Sequence, residues 1–547
     1  MSHLETYERC ESNPIGPRLR LVVFVLSAVV LLPTIRPQGP SSYRPTGFAL
    51  ERDEGTVLYD SLRWARGELI YRDFFTFQTP GFYATYALAF AALPEPTVES
   101  ARALNLLVTA LGSVWLAMCV ARLAGRAAAF SAAAVHVTLL VAIWPIPYPH
   151  WLAETFALGG LVALCEPRFG PRRAAVAGAC FAACGATIQS LGFPVLAAGG
   201  VATVALAWGA SRARMARAAA AYVVGVAAVV GPIFVYFGAR GALADLAYQT
   251  WVWPFANYAA GNADAMFYAA DVATHVREHG VLPPPIAWLA QTGIHATWVL
   301  PLIAVIGGVA GLIGAVLRAV RGRGATRPMV ATLVAAAAVL PLFSERTRAD
   351  VVHLGFVGSF GLVAWAACSG AADGRRRGWR GRSVTLVLVA LAVVTSSAFA
   401  WKAVESGRST HAWSVRDHVR RLAQRHRGTS GLWSLIEARA DPTDTIVVAQ
   451  DPGFFYLYLR PAAIPITMIP LGPSDDYFTR AQWRWMADSI ATRRPVALAI
   501  GTYQWRRLAL ARPDLAAVYR LEGGFYVRDP SGPNLPRRGR WRGPSRP

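Results

Sequence analysis

Two carboxylates stand side by side in the run Glu51-Arg52-Asp53-Glu54-Gly55, ahead of a helical pattern that reaches Gly67 and of a polar turn, Tyr71-Arg72-Asp73-Phe74-Phe75. A carboxylate held against a hydroxyl can take its proton as a general base. The competing reading is that Asp53 and Glu54 cap a helix starting near Thr56, where acidic groups favour the dipole. A second cluster, Ser344-Glu345-Arg346-Thr347-Arg348-Ala349-Asp350 followed by His353, offers guanidinium forks of the kind that meet phosphate oxygens bidentately. Arg346 and Arg348 could instead pair with Glu345 and Asp350, while Arg72 and Arg102, candidates for the same anion, could pair with Asp73 and Glu99. His150 and Glu154 lie one helical turn apart at the start of an apolar segment, a depth at which a carboxylate is costly unless it has a partner or faces a polar cavity. Two such groups fall short of a zinc site, and no required metal is expected.

The elements that must position these groups are mostly apolar. Of 547 residues, 54% are hydrophobic and 16% charged, against about 25% charged in soluble domains, which excludes a wholly soluble chain. Helices of roughly 17 to 25 apolar residues cross about 30 Å of hydrocarbon. About eleven candidate spans follow: Leu21–Pro33, Leu104–Val120, Ala127–Trp144, Trp151–Cys165, Ala174–Ile188, Leu191–Trp208, Ala219–Phe237, Ile286–Leu317, Met329–Phe343, Val351–Cys368 and Val384–Trp401. The first follows Arg18 and Arg20 with no small-residue cleavage site behind it, so it reads as a signal anchor.

The formal charge of +22 would suggest a nucleic-acid partner in a soluble protein, but here the arginines report orientation. Arg122 and Arg126, then Arg168, Arg172 and Arg173, then Arg212, Arg214 and Arg217 occupy every second loop, and Arg318–Arg327 and Arg375–Arg382 continue the series. The positive-inside rule makes those loops cytoplasmic, with the N-terminus inside and everything after Trp401 outside, across the cytoplasmic membrane. The layout is a cytoplasmic N-terminus (1–18), a membrane domain (19–401) with an exterior loop (36–100), an exterior domain (402–533) and a basic, disordered tail (534–547). In the exterior domain, apolar runs at Thr445–Ala449 and Val496–Ile500 alternate with the helical pattern Phe478–Ala491, which predicts a small α/β fold. Trp251, Trp253, Phe255, Tyr258, Phe267 and Tyr268 fill a second long loop and read as belt anchors, with stacking on a sugar or covering a lipid as the alternative. Cys180 and Cys184, one turn apart, read as small packing residues, and no disulfide framework is implied.

Asp53-Glu54, Gly67, Tyr71-Arg72-Asp73-Phe74, Pro80 and Arg102 resemble the first exterior loop of the C-type (GT-C) membrane glycosyltransferases, in particular the protein O-mannosyltransferase and aminoarabinose lipid A transferase group. The resemblance implies an α-helical polytopic fold with an exterior catalytic loop. It also implies transfer of a sugar, with inversion, from a polyprenyl-phosphate donor to a lipid, glycan or protein acceptor at the outer face. Asp53 matches the family's catalytic acidic residue, which the resemblance makes the base that takes the acceptor's proton, with Glu54 as its helper, and Arg346, Arg348, His353, Arg72 and Arg102 become candidates for the donor phosphate. His150, Glu154, Tyr71 and Asp73 are candidates for substrate contact, although family members show an aspartate near the place of Glu154. No cofactor is expected beyond the donor, and no general acid is required, because a leaving phosphate is already a stable anion near neutral pH. No nucleic-acid partner is expected either. The rival is a transporter or flippase for a lipid-linked substrate, for which inverted halves and paired broken helices would be expected.

Overall fold

The computed structural model describes residues 15–35, 52–208, 211–258, 284–343 and 351–371, pieces of helix between 386 and 397, and, in the C-terminal part, 444–448, 456, 461–467, 478–522, 524–529, 531–533 and 535. Helix α1 (Pro17–Leu31) starts on a proline, whose missing N–H is one that a first turn leaves unpaired. Two helices outside the apolar series follow, α2 (Arg52–Ala65) and α3 (Gly81–Ala91). Asp53 and Glu54 lie within the first turn of α2, so the helix begins before the Thr56 start expected from sequence. Gly67 closes α2 with φ +94°, a backbone conformation costly for a side-chain-bearing residue. Thr97 and Ser100 form a reciprocal capping box that starts α4 (Val98–Ala124).

The bundle continues through α5 (Arg126–Val135), α6 (Pro149–Leu164), α7 (Pro171–Thr187), α8 (Gln189–Ala207), α9 (Arg212–Ala239), α10 (Leu243–Ala247), α11 (Pro284–Val320), α12 (Arg327–Val339) and α13 (Val351–Ala371). Among the described residues, six stretches are long and apolar enough to cross a membrane, and two shorter apolar helices, Arg327–Leu342 and His353–Ser369, stand beside them. The protein is an α-helical, multi-pass membrane protein. Its outward faces agree, since Val235, Ile306 and Val320 are 71%, 70% and 82% exposed, a surface that only lipid would cover favourably. Not all of the expected spans are helices of spanning length, since α6 has 16 residues and α12 has 13, and Val384–Trp401 lies partly outside the described residues. The expected span Ala127–Trp144 is one apolar stretch, Arg126–Ile143, that runs as α5, a π-helical turn at His136–Leu140, and a last turn at Val141–Ile143. Helices α7 and α9 approach so closely that a Cβ on Gly178 would fall 2.2 Å from the Tyr222 carbonyl oxygen, and one on Gly225 2.0 Å from that of Ala175. Small residues are what permit such backbone contact inside a membrane bundle.

The arginine-bearing loops gather at one end of the bundle. Arg122 pairs with Glu166, Arg173 approaches the same carboxylate at 3.9 Å, Arg327 donates to the Pro167 carbonyl, and Arg214 donates to that of Phe169. At the other end lie α2, α3 and the C-terminal domain. That domain carries a four-stranded sheet of β1 (Ile446–Val448), β2 (Ala497–Ala499), β3 (Tyr519–Glu522) and β4 (Phe525–Arg528), in the order β1-β2-β4-β3. Strands β1 and β2 are parallel, and the other two pairs are antiparallel. Helices α14 (Arg480–Arg493) and α15 (Thr502–Ala511) pack on the sheet, the first starting on a Thr479–Gln482 capping box. Both apolar runs read from sequence are strands, as alternation broken by turn residues predicts.

The loop and the C-terminal domain share their interior. Tyr59, Phe74 and Phe82 belong to the same buried cluster as Ile446, Val448 and Tyr456, while Phe75 and Trp253 pack with Ile464, Trp483 and Met486. Trp253 corrects the belt-anchor reading: it is fully buried, donates its Nε1–H to Gln482 Oε1 at 3.0 Å, and meets the Phe75 ring edge-on. Trp251 is the exposed one, stacked on Phe193. Phe267 and Tyr268 lie outside the described residues.

Candidate active site

The amphipathic pattern of α2 turns one face toward the membrane helices and another toward the C-terminal domain, and its carboxylates divide between them. Glu54 faces Arg102 of α4. The pair is bidentate, with Nε and Nη2 each 2.7 Å from a carboxylate oxygen and both side chains fully buried, and Arg102 also donates to the Thr34 carbonyl at 3.2 Å. Such a fork joins the ends of three elements and uses both carboxylate oxygens. Glu54 and Arg102, expected as catalytic helper and phosphate ligand, are thus engaged with each other, and the Arg102–Glu99 pairing raised from sequence is not the one adopted.

Asp53, the neighbouring residue, is half-buried. It lies within electrostatic reach of the Tyr83 hydroxyl, whose affinity for its proton is raised by burial first and then by the charges of Asp60 and Asp53. Tyr83 donates to Gln78 Oε1 at 2.8 Å and lies 2.8 Å from Thr76 Oγ1. Asp60, two turns beyond Asp53 on the same helix face, was not foreseen. Thr467 of the C-terminal domain donates to its carboxylate. Burial raises the Asp60 carboxyl to about 7, against the opposing pull of nearby Arg63 and of the Thr467 hydroxyl. Further along, Tyr59 Oη accepts from the Ala462 amide at 2.7 Å, and Arg63, over the Phe74 ring, bonds Glu68 and the Ile464 carbonyl.

The turn after α2 is held from several sides. Tyr71 has φ +73° and a fully buried side chain whose hydroxyl donates to the Gln78 carbonyl at 2.8 Å. It faces protein, so its part is to set the turn. Gln249 donates to the Tyr71 carbonyl and accepts from the Thr76 amide, and Gln189 donates to the Phe77 carbonyl. Nothing in the local sequence marks either glutamine. Arg72 and Asp73 pair at 3.1 Å on the rim, 38% and 31% exposed, and Asp73 also accepts from the Leu69 amide.

His150 and His353, 203 positions apart in sequence, come together. Their rings meet edge-on at 5.4 Å, and His150 lies parallel to Tyr148 and to Phe356, at 5.3 and 4.3 Å. Glu154 points away from His150 to His136. Arg346 and Arg348 lie outside the described residues, in the stretch between Phe343 and Val351 that leads into the helix of His353. Among the described residues, no three His, Cys, Asp or Glu side chains stand close enough to hold a metal ion. The arrangement is chemically that of a half-exposed carboxylate at the bundle end, with two histidines and a wall of aromatic rings at the same end.

No family model and no curated protein matches the chain. Among solved structures, the chain is similar to ArnT from Cupriavidus metallidurans bound to undecaprenyl phosphate, at 13% identity and TM-score 0.49, over 81% of this chain and 84% of that one. It is also similar to the oligosaccharyltransferase of Archaeoglobus fulgidus in its apo form, at 12% identity and TM-score 0.44, over 92% of this chain and 73% of that one. The AglB oligosaccharyltransferase of the same organism, in complex with an inhibitory peptide and a dolichol-phosphate, is similar at 11% identity and TM-score 0.42, over 93% and 74%.

Proposed function

We propose that the protein is a membrane glycosyltransferase of the GT-C type. It moves a sugar from a polyprenyl-phosphate donor to a hydroxyl of a lipid, glycan or protein acceptor at the outer face of the cytoplasmic membrane. The observation that carries the reading is the division of labour between adjacent acids: Glu54 is sealed against Arg102, whereas Asp53 stays half-exposed one residue away. In the reaction the acceptor oxygen bonds to the anomeric carbon as the bond from that carbon to the phosphate oxygen breaks. The phosphate leaves with the electron pair, and the hydroxyl proton passes to Asp53. A single displacement of this kind inverts the anomeric carbon. Arg346, Arg348 and His353 serve the departing phosphate, whose charge a guanidinium fork suits. His150 belongs to the same end of the bundle through its contact with His353. The arginine-rich end of the bundle is cytoplasmic in this reading, by the positive-inside rule, and the C-terminal domain is outside.

The test is mass spectrometry of envelope lipids and glycoproteins from a deletion strain complemented with variants. Asp53→Asn keeps the size and still favours a helix start, but it cannot take the proton. Transfer should fall by roughly 10²- to 10⁴-fold, the usual worth of a positioned base, with membrane expression unchanged. Transfer within a few-fold of wild type would remove Asp53 from the mechanism. Arg348→Ala should cost about 10- to 150-fold, corresponding to the roughly 1.5–3 kcal/mol of one charge-assisted contact, and normal use of the donor by both Arg346→Ala and Arg348→Ala would make those arginines structural.

A further inference from the structure

Ser113, His136 and Glu154 meet inside the membrane-spanning part, from α4, the π turn after α5, and α6. Ser113 Oγ lies 3.0 Å from the Thr109 carbonyl oxygen and 2.8 Å from His136 Nδ1, and His136 Nε2 lies 3.3 Å from Glu154 Oε1. The His136 and Glu154 side chains are 1% and 2% exposed. Apart from this approach to each other, neither Nε2 nor Oε1 has a hydrogen-bonding partner among the described residues. The backbone makes room for them. A Cβ on Gly112 would stand 2.9 Å from Thr155 Oγ1 and 3.6 Å from His136 Cε1. A π turn is itself a departure from the regular helix that recurs where a side chain has to be aimed.

Counting hydrogens fixes what the pair must carry. Ser113 has a single hydroxyl hydrogen, and a serine within a helix gives it to the carbonyl four residues back. Its oxygen is then left to accept from His136 Nδ1–H, so Nε2 turns toward Glu154 with either a lone pair or a second proton. A lone pair facing a carboxylate repels it. The two groups attract only when one further proton lies on Nε2 or on the carboxyl. Counting charge leads to the same place, because without that proton a net negative charge would sit in hydrocarbon. The titratable groups on the surrounding helices are Arg18 and Arg20 on α1, Glu99, Arg102, Cys119 and Arg122 on α4, Arg126 on α5, His150 on α6, Arg172, Arg173, Cys180 and Cys184 on α7, Arg327 on α12, and His353 and Cys368 on α13. Arg102 is committed to Glu54, and the Cys184 thiol is within electrostatic reach of Glu154. Among the described residues, the basic group within ion-pair distance of Glu154 is His136.

We propose that His136 and Glu154 form a proton-binding site within the bilayer, which holds one shared proton and thereby keeps α4, α5 and α6 closed against one another. Two of these helices carry candidate-site residues at one end, Arg102 on α4 and His150 on α6, so the buried proton also positions that end of the bundle. Thermal unfolding of the full chain in lipid nanodiscs, followed by tryptophan fluorescence from about pH 6 to about pH 10, tests this. The wild-type midpoint should fall by several degrees on the alkaline side. Glu154→Gln donates an amide hydrogen to Nε2 at any of these pH values, so its midpoint should fall less than that of the wild type on the alkaline side, the remaining fall coming from groups such as Asp60, and glycosyl transfer is not the readout. Superimposable wild-type and Glu154→Gln profiles would overturn the proposal. Infrared spectra of the wild type carrying isotope-labelled glutamate and histidine give a readout independent of whether the variant folds. A buried protonated carboxyl or a buried imidazolium at neutral pH, lost under alkaline conditions, is expected. A carboxylate with a neutral imidazole at every pH would overturn the assignment.

Discussion

Helix α2 is fastened by two buried carboxylates, one in its first turn and one two turns on, and the two fastenings differ in kind. Near its start, Glu54 meets the full opposite charge of Arg102 through two hydrogen bonds. Two turns on, Asp60 meets the Thr467 hydroxyl, with Arg63 close by but engaged by Glu68. The first contact joins α2 to the membrane helices, and the second joins it to the C-terminal domain. A matched ion pair needs both charges. A buried acid held mainly by a hydroxyl binds a proton more readily than it would in water, so its strength depends on pH. Besides the bonds of Tyr59 and Arg63 to the C-terminal domain, the helix bearing Asp53 therefore has one support made by paired charges and one that titrates.

The largest effect is expected from breaking the charge-paired support. Arg102→Leu leaves the Glu54 carboxylate buried without its counter-charge, a loss of about 3–5 kcal/mol, read as a lower unfolding midpoint and poor membrane expression. Adding Glu54→Leu to the same chain should restore most of that stability. If Arg102→Leu alone is as stable as the wild type, the pair is dispensable and the contrast between the two fastenings fails.

A somewhat smaller effect, on the order of at most 4 kcal/mol from a rise of the carboxyl from 3.8 to about 7, should follow from Asp60. Because the docked aspartate binds its proton more tightly than a free one, the stabilisation is complete below about pH 4 and is lost as pH rises through about 7. Hydrogen exchange in residues 461–467 should therefore speed up between acidic and alkaline pH in the wild type. Asp60→Asn keeps the neutral form throughout and should abolish that dependence. An unchanged profile in the variant would show that the contact does not titrate.

The smallest effect belongs to the rim. Arg72→Ala removes an exposed pair with Asp73, worth about 0–1 kcal/mol, so the unfolding midpoint should barely move. Transfer that nevertheless dropped more than tenfold would move Arg72 from a structural contact to an anion-binding one.

The helical membrane frame and the strands at 446–448 and 497–499 were legible in the sequence, since each rests on local period and composition. The arginines of alternate loops likewise mark one end of the bundle. The partners of the polar residues were not legible. Arg102 could have been matched with Glu99, three residues away, and Glu154 with His150, four residues away, because helical spacing makes near neighbours the natural choice. The structure pairs them with Glu54 and His136 instead, across helix interfaces. Asp60 carried a weak signal in its two-turn spacing from Asp53. Trp253 carried none, because a buried tryptophan and an interfacial one look alike in a sequence.

What the sequence determined by itself is whatever depends on the solvent a segment prefers: which stretches lie in lipid, which end collects positive charge, where a soluble domain begins to alternate apolar and polar residues. These follow from transfer free energies summed along a contiguous segment. Tertiary structure alone decided which of two adjacent acids remains half-exposed, which histidine faces Glu154, and which turn of α2 is tied by charge and which by a hydroxyl. Those outcomes depend on distances between helices far apart in the chain, and a buried charge takes its meaning from the one group that the fold places within about 3 Å of it.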